Sequence, residues 1–495
     1  MSNEGNGPKS FRHTIVLSDL HLTDAELGQP GRSLWKRYKR PKYFIDRSFK
    51  NLLQELKALL NGQSAELVLN GDIFDFDSVM RLPLHSAVPI SWLEQRRGLF
   101  PEEEKSRFKM EVILSDHAIW LEAIRDWVMQ GHDLVFVIGN HDLELHWPAV
   151  QREIFKRLQL TSEQEQCVRF CEWFYISEKD TLIEHGNQYD DYCVSNPVHP
   201  LVKKGRRIMV RLPFGNITSR YMVNGMGLFN PHVESSFLMT LPEYIRFFYR
   251  YALRVQPLLP FTWFWSAAVS FWEALGDGFL PAMRDPLYFD QRVEEIAKKS
   301  NATPTMVRTL RELHTHPAVF NPLKIARELW LDRIFIFFIF VGLSFFIFSV
   351  VRVFTHLSFW WGLVFLLMLL PVLVYYARNI KTEVFASLQV AMREVPMIAK
   401  ITSIQRVVFG HTHRAEHTEV GQTEVLNTGT WSPAFKDPEC TQVYGRKCFA
   451  WIKPTLEGIR MAELYVWKNP GFEVMSKSID RPNSKSSAKE QKWKP

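Results

Sequence analysis

The sequence predicts an α/β fold, and three observations predict it. Short apolar runs recur along the chain, five of them are followed at once by Asp, Asn or His, and a helical stretch near Met110–Gln130 lies among them. Polar clusters at the carboxyl ends of buried strands are how α/β sheets place ligand sites.

Taken in order, Thr14-Ile15-Val16-Leu17-Ser18 reads as a buried strand and leads to Asp19-Leu20-His21. Leu67-Val68-Leu69-Asn70 is the second strand, followed by Gly71-Asp72. Leu134-Val135-Phe136-Val137-Ile138 is the third, followed by Gly139-Asn140-His141-Asp142. A hairpin over Phe170–Glu184 delivers His185-Gly186, and Arg406-Val407-Val408-Phe409 delivers Gly410-His411-Thr412-His413. The strand Thr423–Leu426 leads to Asn427-Thr428-Gly429-Thr430-Trp431, read as a structural turn. Each motif alone recurs by accident; their order and context make the signal.

This arrangement resembles the calcineurin-like metallophosphoesterase superfamily, whose pattern D-x-H, G-D, G-N-H-D, H and G-H-x-H it matches at every position. The resemblance covers roughly residues 11–230 and 396–465. It implies a four-layer α/β sandwich of two packed sheets covered by helices, interrupted here by a helical insertion. Carried over residue by residue, it implies Asp19, His21 and His413 on one metal, Asn140, His185 and His411 on a second, and Asp72 as the bridge. His141 is then the outer-sphere acid, and Asp142 orients it. More weakly, the pattern resembles the branch containing UDP-2,3-diacylglucosamine pyrophosphatase of lipid A synthesis. That branch typically carries arginine where His141 stands and lacks so long an insertion.

The residue types suit the chemistry. Imidazole, carboxylate and amide oxygen favour Mn²⁺ foremost, with Fe or Zn²⁺ as alternatives, and one carboxylate can hold two ions about 3.5–4 Å apart. A water shared between two such ions becomes hydroxide near neutral pH and attacks phosphorus in line. The alternative is a degenerate scaffold that keeps the sheets without metals.

Composition fits one large catalytic domain with an insertion. The expected division is 11–235 and 396–470 for the two catalytic halves, 236–395 for the insertion and 471–495 for a disordered basic tail. Five cysteines form no disulfide-framework spacing, and Met1–Lys9 is polar with no apolar stretch behind it. The expectation is a reducing, cytosol-facing protein without a cleaved signal.

Within the insertion, 334–351 and 357–376 are apolar runs of 18 and 20 residues without internal charge. Helices of that length span about 27–30 Å, close to a bilayer's hydrocarbon thickness. They read as a transmembrane hairpin turning at 352–356, with two buried core helices or a hairpin dipping into one leaflet as alternatives. Lys324, Arg327, Arg333, Arg378 and Lys381 flank the outer ends, which places them in the cytoplasm. Because His185 and His411 must meet, the chain crosses an even number of times between them. The aromatic stretch Leu258–Leu275 is therefore read as interfacial or re-entrant, and the preceding Arg246, Arg250 and Arg254 as a basic stripe facing lipid headgroups or simply solvent.

The net charge is +7. Basic runs at Lys36–Lys42 and Lys203–Arg207 could rim the catalytic mouth, and Arg37, Arg40 and Asp190 are candidate substrate contacts. No nucleic-acid module accompanies them, so no nucleic-acid partner is expected. Asp77–Lys109 reads as a cap over the site, and His314-Thr315-His316 as surface. The functional expectation is a membrane-attached dinuclear-metal phosphoesterase on the cytoplasmic face, hydrolysing a phosphate or pyrophosphate of a lipid-linked substrate. The alternatives are a general phosphatase or phosphodiesterase on soluble esters such as nucleotides, and a non-catalytic membrane adaptor.

Overall fold

Side chains of the central strands point alternately into two apolar layers, and this period of two sets the architecture. The computed structural model describes residues 12–28, 33–84, 89–230, 232, 245–278, 280, 286–355, 358, 360–362, 364, 367, 371, 375 and 387–475. The first half runs β1 (His13–Leu17), α1 (Asp46–Leu60), β2 (Ala65–Asn70), α2 (Trp92–Arg97), α3 (Glu103–Asp116), α4 (Ala118–Met129), β3 (Asp133–Val137), α5 (Pro148–Leu158), α6 (Ser162–Glu165) and β4 (Val168–Cys171). Then come β5 (Phe174–Ser177), β6 (Thr181–Glu184), β7 (Leu201–Lys204), β8 (Arg207–Val210) and α7 (Phe214–Tyr221). Helices α8 (Leu259–Gly278), α9 (Pro286–Lys299), α10 (Pro304–Arg311), α11 (Pro322–Glu328), α12 (Leu331–Thr355) and α13 (Ser387–Thr402) follow. The chain closes with β9 (Arg406–Phe409), β10 (Ala415–Val420), β11 (Thr423–Thr428), β12 (Cys448–Pro454), β13 (Arg460–Trp467) and β14 (Phe472–Val474).

One sheet has the order β14-β13-β12-β1-β2-β3-β4, with β1 to β4 parallel; the second has the order β10-β11-β9-β6-β5, with β6 and β9 parallel. Val16, Val68, Val135 and Val137 from the first sheet meet Ile183, Val408 and Leu426 from the second in the core between them. Ile15, Leu17, Leu67, Leu69, Leu134 and Phe136 face the other way, onto α1, α3, α4 and α5. Val407 and Phe409 face outward from the second sheet into a core with Val293, Ile296, Val307, Leu310, Val395 and Ile398. The layers are therefore helix, sheet, sheet and helix. Helices α9 and α10 lie between residues 236 and 395, yet they cover the second sheet as part of this sandwich.

Two local readings change. The hairpin expected over Phe170–Glu184 divides, because β4 stays with the first sheet and only β5 and β6 pair as a hairpin in the second. The helix expected near Met110–Gln130 is two, broken at His117, whose ring bonds the Asp46 carboxylate at 2.8 Å and the Thr23 carbonyl at 2.9 Å.

Among the described residues one helix is long and apolar enough to cross a membrane, α12. It extends beyond the expected 334–351 at both ends, and Phe335, Phe338, Phe345, Phe346 and Phe354 are each more than 60% exposed. Most of the second expected arm, 357–376, lies outside the described residues, as does the tail from Ser476.

Candidate metal centre

Five strand ends converge, because β1, β2 and β3 run parallel in one sheet, and β6 and β9 run parallel in the other. Asp19, His21 and His413 form one group of potential ligands, and Asp72, His185 and His411 a second, each with its donor atoms within 4.8 Å of one another. His21 Nε2 lies 3.1 Å from His413 Nε2, and His413 Nε2 lies 3.2 Å from Asp19 Oδ1. Asp72 Oδ2 is 3.1 Å from His185 Nε2 and 3.9 Å from His21 Nε2, which places one oxygen between the groups.

Backbone geometry at these residues is unusual. Asp19, His21, Asp72, His411 and His413 all have φ between 49° and 65°. Such left-handed conformations cost non-glycine residues roughly 1–3 kcal/mol each, and they cluster where function fixes a side chain's direction. Glycines let the turns close: a Cβ on Gly410 would fall 2.7 Å from Asp19 Oδ2, and one on Gly139 2.5 Å from Asp72 Oδ1.

The donor set fits two cations. Asp19 Oδ1, His21 Nδ1, Asn140 Oδ1 and His185 Nε2 are buried polar atoms without a hydrogen-bond partner, and such atoms are normally satisfied. His185 Nδ1 faces the Asn70 carbonyl at 3.0 Å and would donate to it, leaving Nε2 as a lone pair for a cation. Burial would raise the Asp72 pKa, but the neighbouring His185 and His141 hold it well below the usual carboxylate range. Asn140 Nδ2 reaches Asn216 Oδ1 at 3.4 Å, which leaves its carbonyl oxygen facing inward.

Asp142 does not orient His141. Its oxygens accept from Ile73 N at 2.8 Å and Gly139 N at 2.6 Å, so it ties the β2 and β3 turns together. The carboxylate at the His141 ring is Asp75, 3.3 Å from Nδ1, with Asp77 at 3.8 Å. Burial works against the charged ring, yet Asp72, Asp75 and Asp77 together push the His141 pKa up to about 10. Asp77 is itself pushed up to about 7 by burial and by Glu144. Asn216 is fully buried and donates to Asp77 Oδ2 at 2.6 Å and to the Asn140 carbonyl at 2.7 Å, bracing the third strand end.

Sequence reasoning missed Asp75, Asp77, Asn216 and His232, whose buried ring lies 4.2 Å from that of His21. Asp75, three residues beyond Asp72, was the most accessible of these from the local pattern. Asp190 does reach the centre: its Oδ2 is 3.0 Å from His411 Nε2, while its Oδ1 accepts from Tyr192 N. Arg37 and Arg40 do not meet the cluster among the described residues. Arg37 donates to the Tyr43 hydroxyl and Arg40 to the Ser33 carbonyl. Two lysines of that run turn inward instead, Lys39 to Asp24 and Lys36 to Asn224, while Lys42 stays exposed. His314 is half-buried with its ring edge-on to Trp173 at 4.5 Å, so it is packed and not on the open surface.

A profile of the calcineurin-like phosphoesterase family matches residues 12–210. This region belongs to that family. Its members are metal-dependent hydrolases with a dinuclear divalent centre, and the chain is accordingly a metal-dependent phosphoesterase. The matched span of the phosphoesterase contains Asp19, His21, Asp72, Asn140 and His185, while His411 and His413 come from β9, beyond it. No curated protein and no solved structure matches the chain.

Proposed function

We propose that the protein is a membrane-attached phosphoesterase that hydrolyses a phosphate or pyrophosphate ester of a lipid-linked substrate on the cytoplasmic face. The observation that carries the lipid reading is α12: a 25-residue apolar helix with its aromatic side chains uncovered, in the chain segment between the two halves of the metal centre. A soluble core helix of that length would be mostly buried. A catalytic domain fixed at the bilayer serves amphiphilic substrates better than freely diffusing ones.

In this reading Asp19, His21 and His413 hold one divalent ion, Asn140, His185 and His411 the other, and Asp72 lies between them, with Mn²⁺ the best match. When bound, the ions would acidify a shared water and neutralise charge on the phosphoryl oxygens. His141 is placed to give a proton to the leaving oxygen, and Asp75 fixes the ring's direction. A non-catalytic adaptor needs no histidine braced by Asp75 beside the ligand groups.

The test is Mn²⁺-dependent hydrolysis by the detergent-purified protein, comparing UDP-diacylglucosamine with a soluble aryl phosphodiester, with Asp72→Asn as the blank. Preference for the lipid nucleotide is expected. Equal turnover of the soluble ester would leave the phosphoesterase without its lipid assignment, and the general phosphodiesterase reading would replace it.

A further inference from the structure

Helix α8 has apolar side chains on both faces, one packed on the core and one uncovered. Ser266, Ala267, Ser270 and Ala274 are fully covered, and Leu259, Trp263, Val269 and Phe271 also pack against the core. The side chains it exposes are large: Phe261 at 73%, Phe264 at 46%, Trp265 at 49% and Trp272 at 71%. Positions 261, 264, 265 and 272 share one helix face, with Ala268 between the last two, so they form an aromatic stripe. Water selects the opposite arrangement; a hydrocarbon boundary selects this one.

The stripe continues onto the catalytic half of the chain. Helix α2 brings Trp92, 55% exposed, to within 6.5 Å of the Trp265 ring centroid in an edge-to-face contact. Between the two helices lies an open groove of ≈ 250 Å³, lined by Trp92, Leu93, Leu258, Phe261 and Trp265 with Arg96 and Arg97. Arg96 lies over the Trp92 ring at 4.7 Å, and Arg97 reaches across toward Ser266. Among the described residues neither guanidinium has a carboxylate within ion-pair distance. Two cations without counter-charges beside an apolar groove match a phosphate head above acyl chains.

We propose that α2 and α8 form a second, interfacial membrane contact that seats an anionic phospholipid in this groove. The proposal rests on the membrane-attached reading, and it adds that the catalytic domain itself, not only α12, touches the bilayer. It also ties the lipid surface to the metal centre. The Arg97 carbonyl accepts from Asn224 Nδ2, which also donates to the carbonyl of Asp77 beside His141.

The test is photo-crosslinking of the full-length protein in nanodiscs of phosphatidylcholine, with or without phosphatidylglycerol. p-Benzoylphenylalanine is placed singly at 261, at 338 in α12, or at 461 on exposed β13. Lipid adducts at 261 and 338 but not 461 are expected, with an excess of phosphatidylglycerol at 261. Arg96→Gln and Arg97→Gln should each reduce that excess about fivefold. Adducts at 338 without any at 261 would overturn the groove while leaving the anchor standing. Adducts at neither position would remove both, and a protein adduct at 261 would make the stripe a protein interface. Equal labelling by both lipids would overturn the anionic assignment.

Discussion

Gly71 joins β2 to Asp72, and Gly71→Ala tests whether close packing at this turn holds the metal centre in place. The residue has φ +76°, where any side chain costs roughly 1–2 kcal/mol. A Cβ there would also fall 2.5 Å from His185 Cγ and Nδ1, whereas ordinary contact begins at 3.4 Å. The imidazole must therefore retreat by the difference, 0.9 Å, and lose its 3.0 Å bond to the Asn70 carbonyl. A misplacement near 1 Å at a reacting centre costs on the order of 10²-fold in rate. Gly62→Ala separates the two effects, because Gly62 has φ +81° with nothing within 4 Å of its Cβ position. Three readouts are needed: metal per chain by elemental mass spectrometry, kcat/KM on bis(p-nitrophenyl) phosphate, and unfolding in denaturant. Both variants should lose about 1–2 kcal/mol from the backbone alone, while only Gly71→Ala should lose metal and fall about a hundredfold in rate. Full metal content with a rate within about threefold of the parent protein would refute the packing argument.

Asp75→Asn removes a carboxylate that raises the His141 pKa, so the ring should lose its proton at lower pH and the alkaline limb of the kcat/KM profile should move acidward; an unmoved limb would dissociate Asp75 from the acid. Asp142→Ala leaves the Ile73 and Gly139 N–H groups buried without acceptors, and at about 1–3 kcal/mol for each orphaned group it should cost about 2–6 kcal/mol in denaturant unfolding. Chelation should abolish hydrolysis and lower the melting temperature, and Mn²⁺ should restore both, with about 2.7 kcal/mol of stabilisation per site at a hundred times Kd; a melting temperature indifferent to Mn²⁺ would count against the centre. His141→Ala should reduce kcat far more than it reduces metal content, as titration with Mn²⁺ would show.

The strand ends were legible because apolar runs and the residues that follow them are local features. Ile15, Leu67 and Phe136 declare a strand by their neighbours, and Asp19, Asp72 and Asn140 follow at fixed offsets. Partnership is not local. Asp142 is adjacent to His141 in sequence and looks like its companion, but the left-handed turn at Asp72 brings Asp75 to the ring and leaves Asp142 beneath the loop. The run Lys36–Lys42 shows the same limit, since sequence gives its charge but not which side chains turn inward. Helices α9 and α10 fall inside the stretch read as an insertion, because the second sheet they cover is completed only by β9, after it.

The pairing of β6 with β9 joins Thr181 to Arg406 across the whole of the α8–α12 segment. During synthesis His185 emerges long before His411, so neither ligand group is whole until the apolar helix has left the ribosome. Competence for hydrolysis is thereby ordered in time: the apolar helix is made first and the reactive centre closes last. A chain stalled or cleaved before Gly410 carries the long apolar helix without His411 and His413, and so without the chemistry.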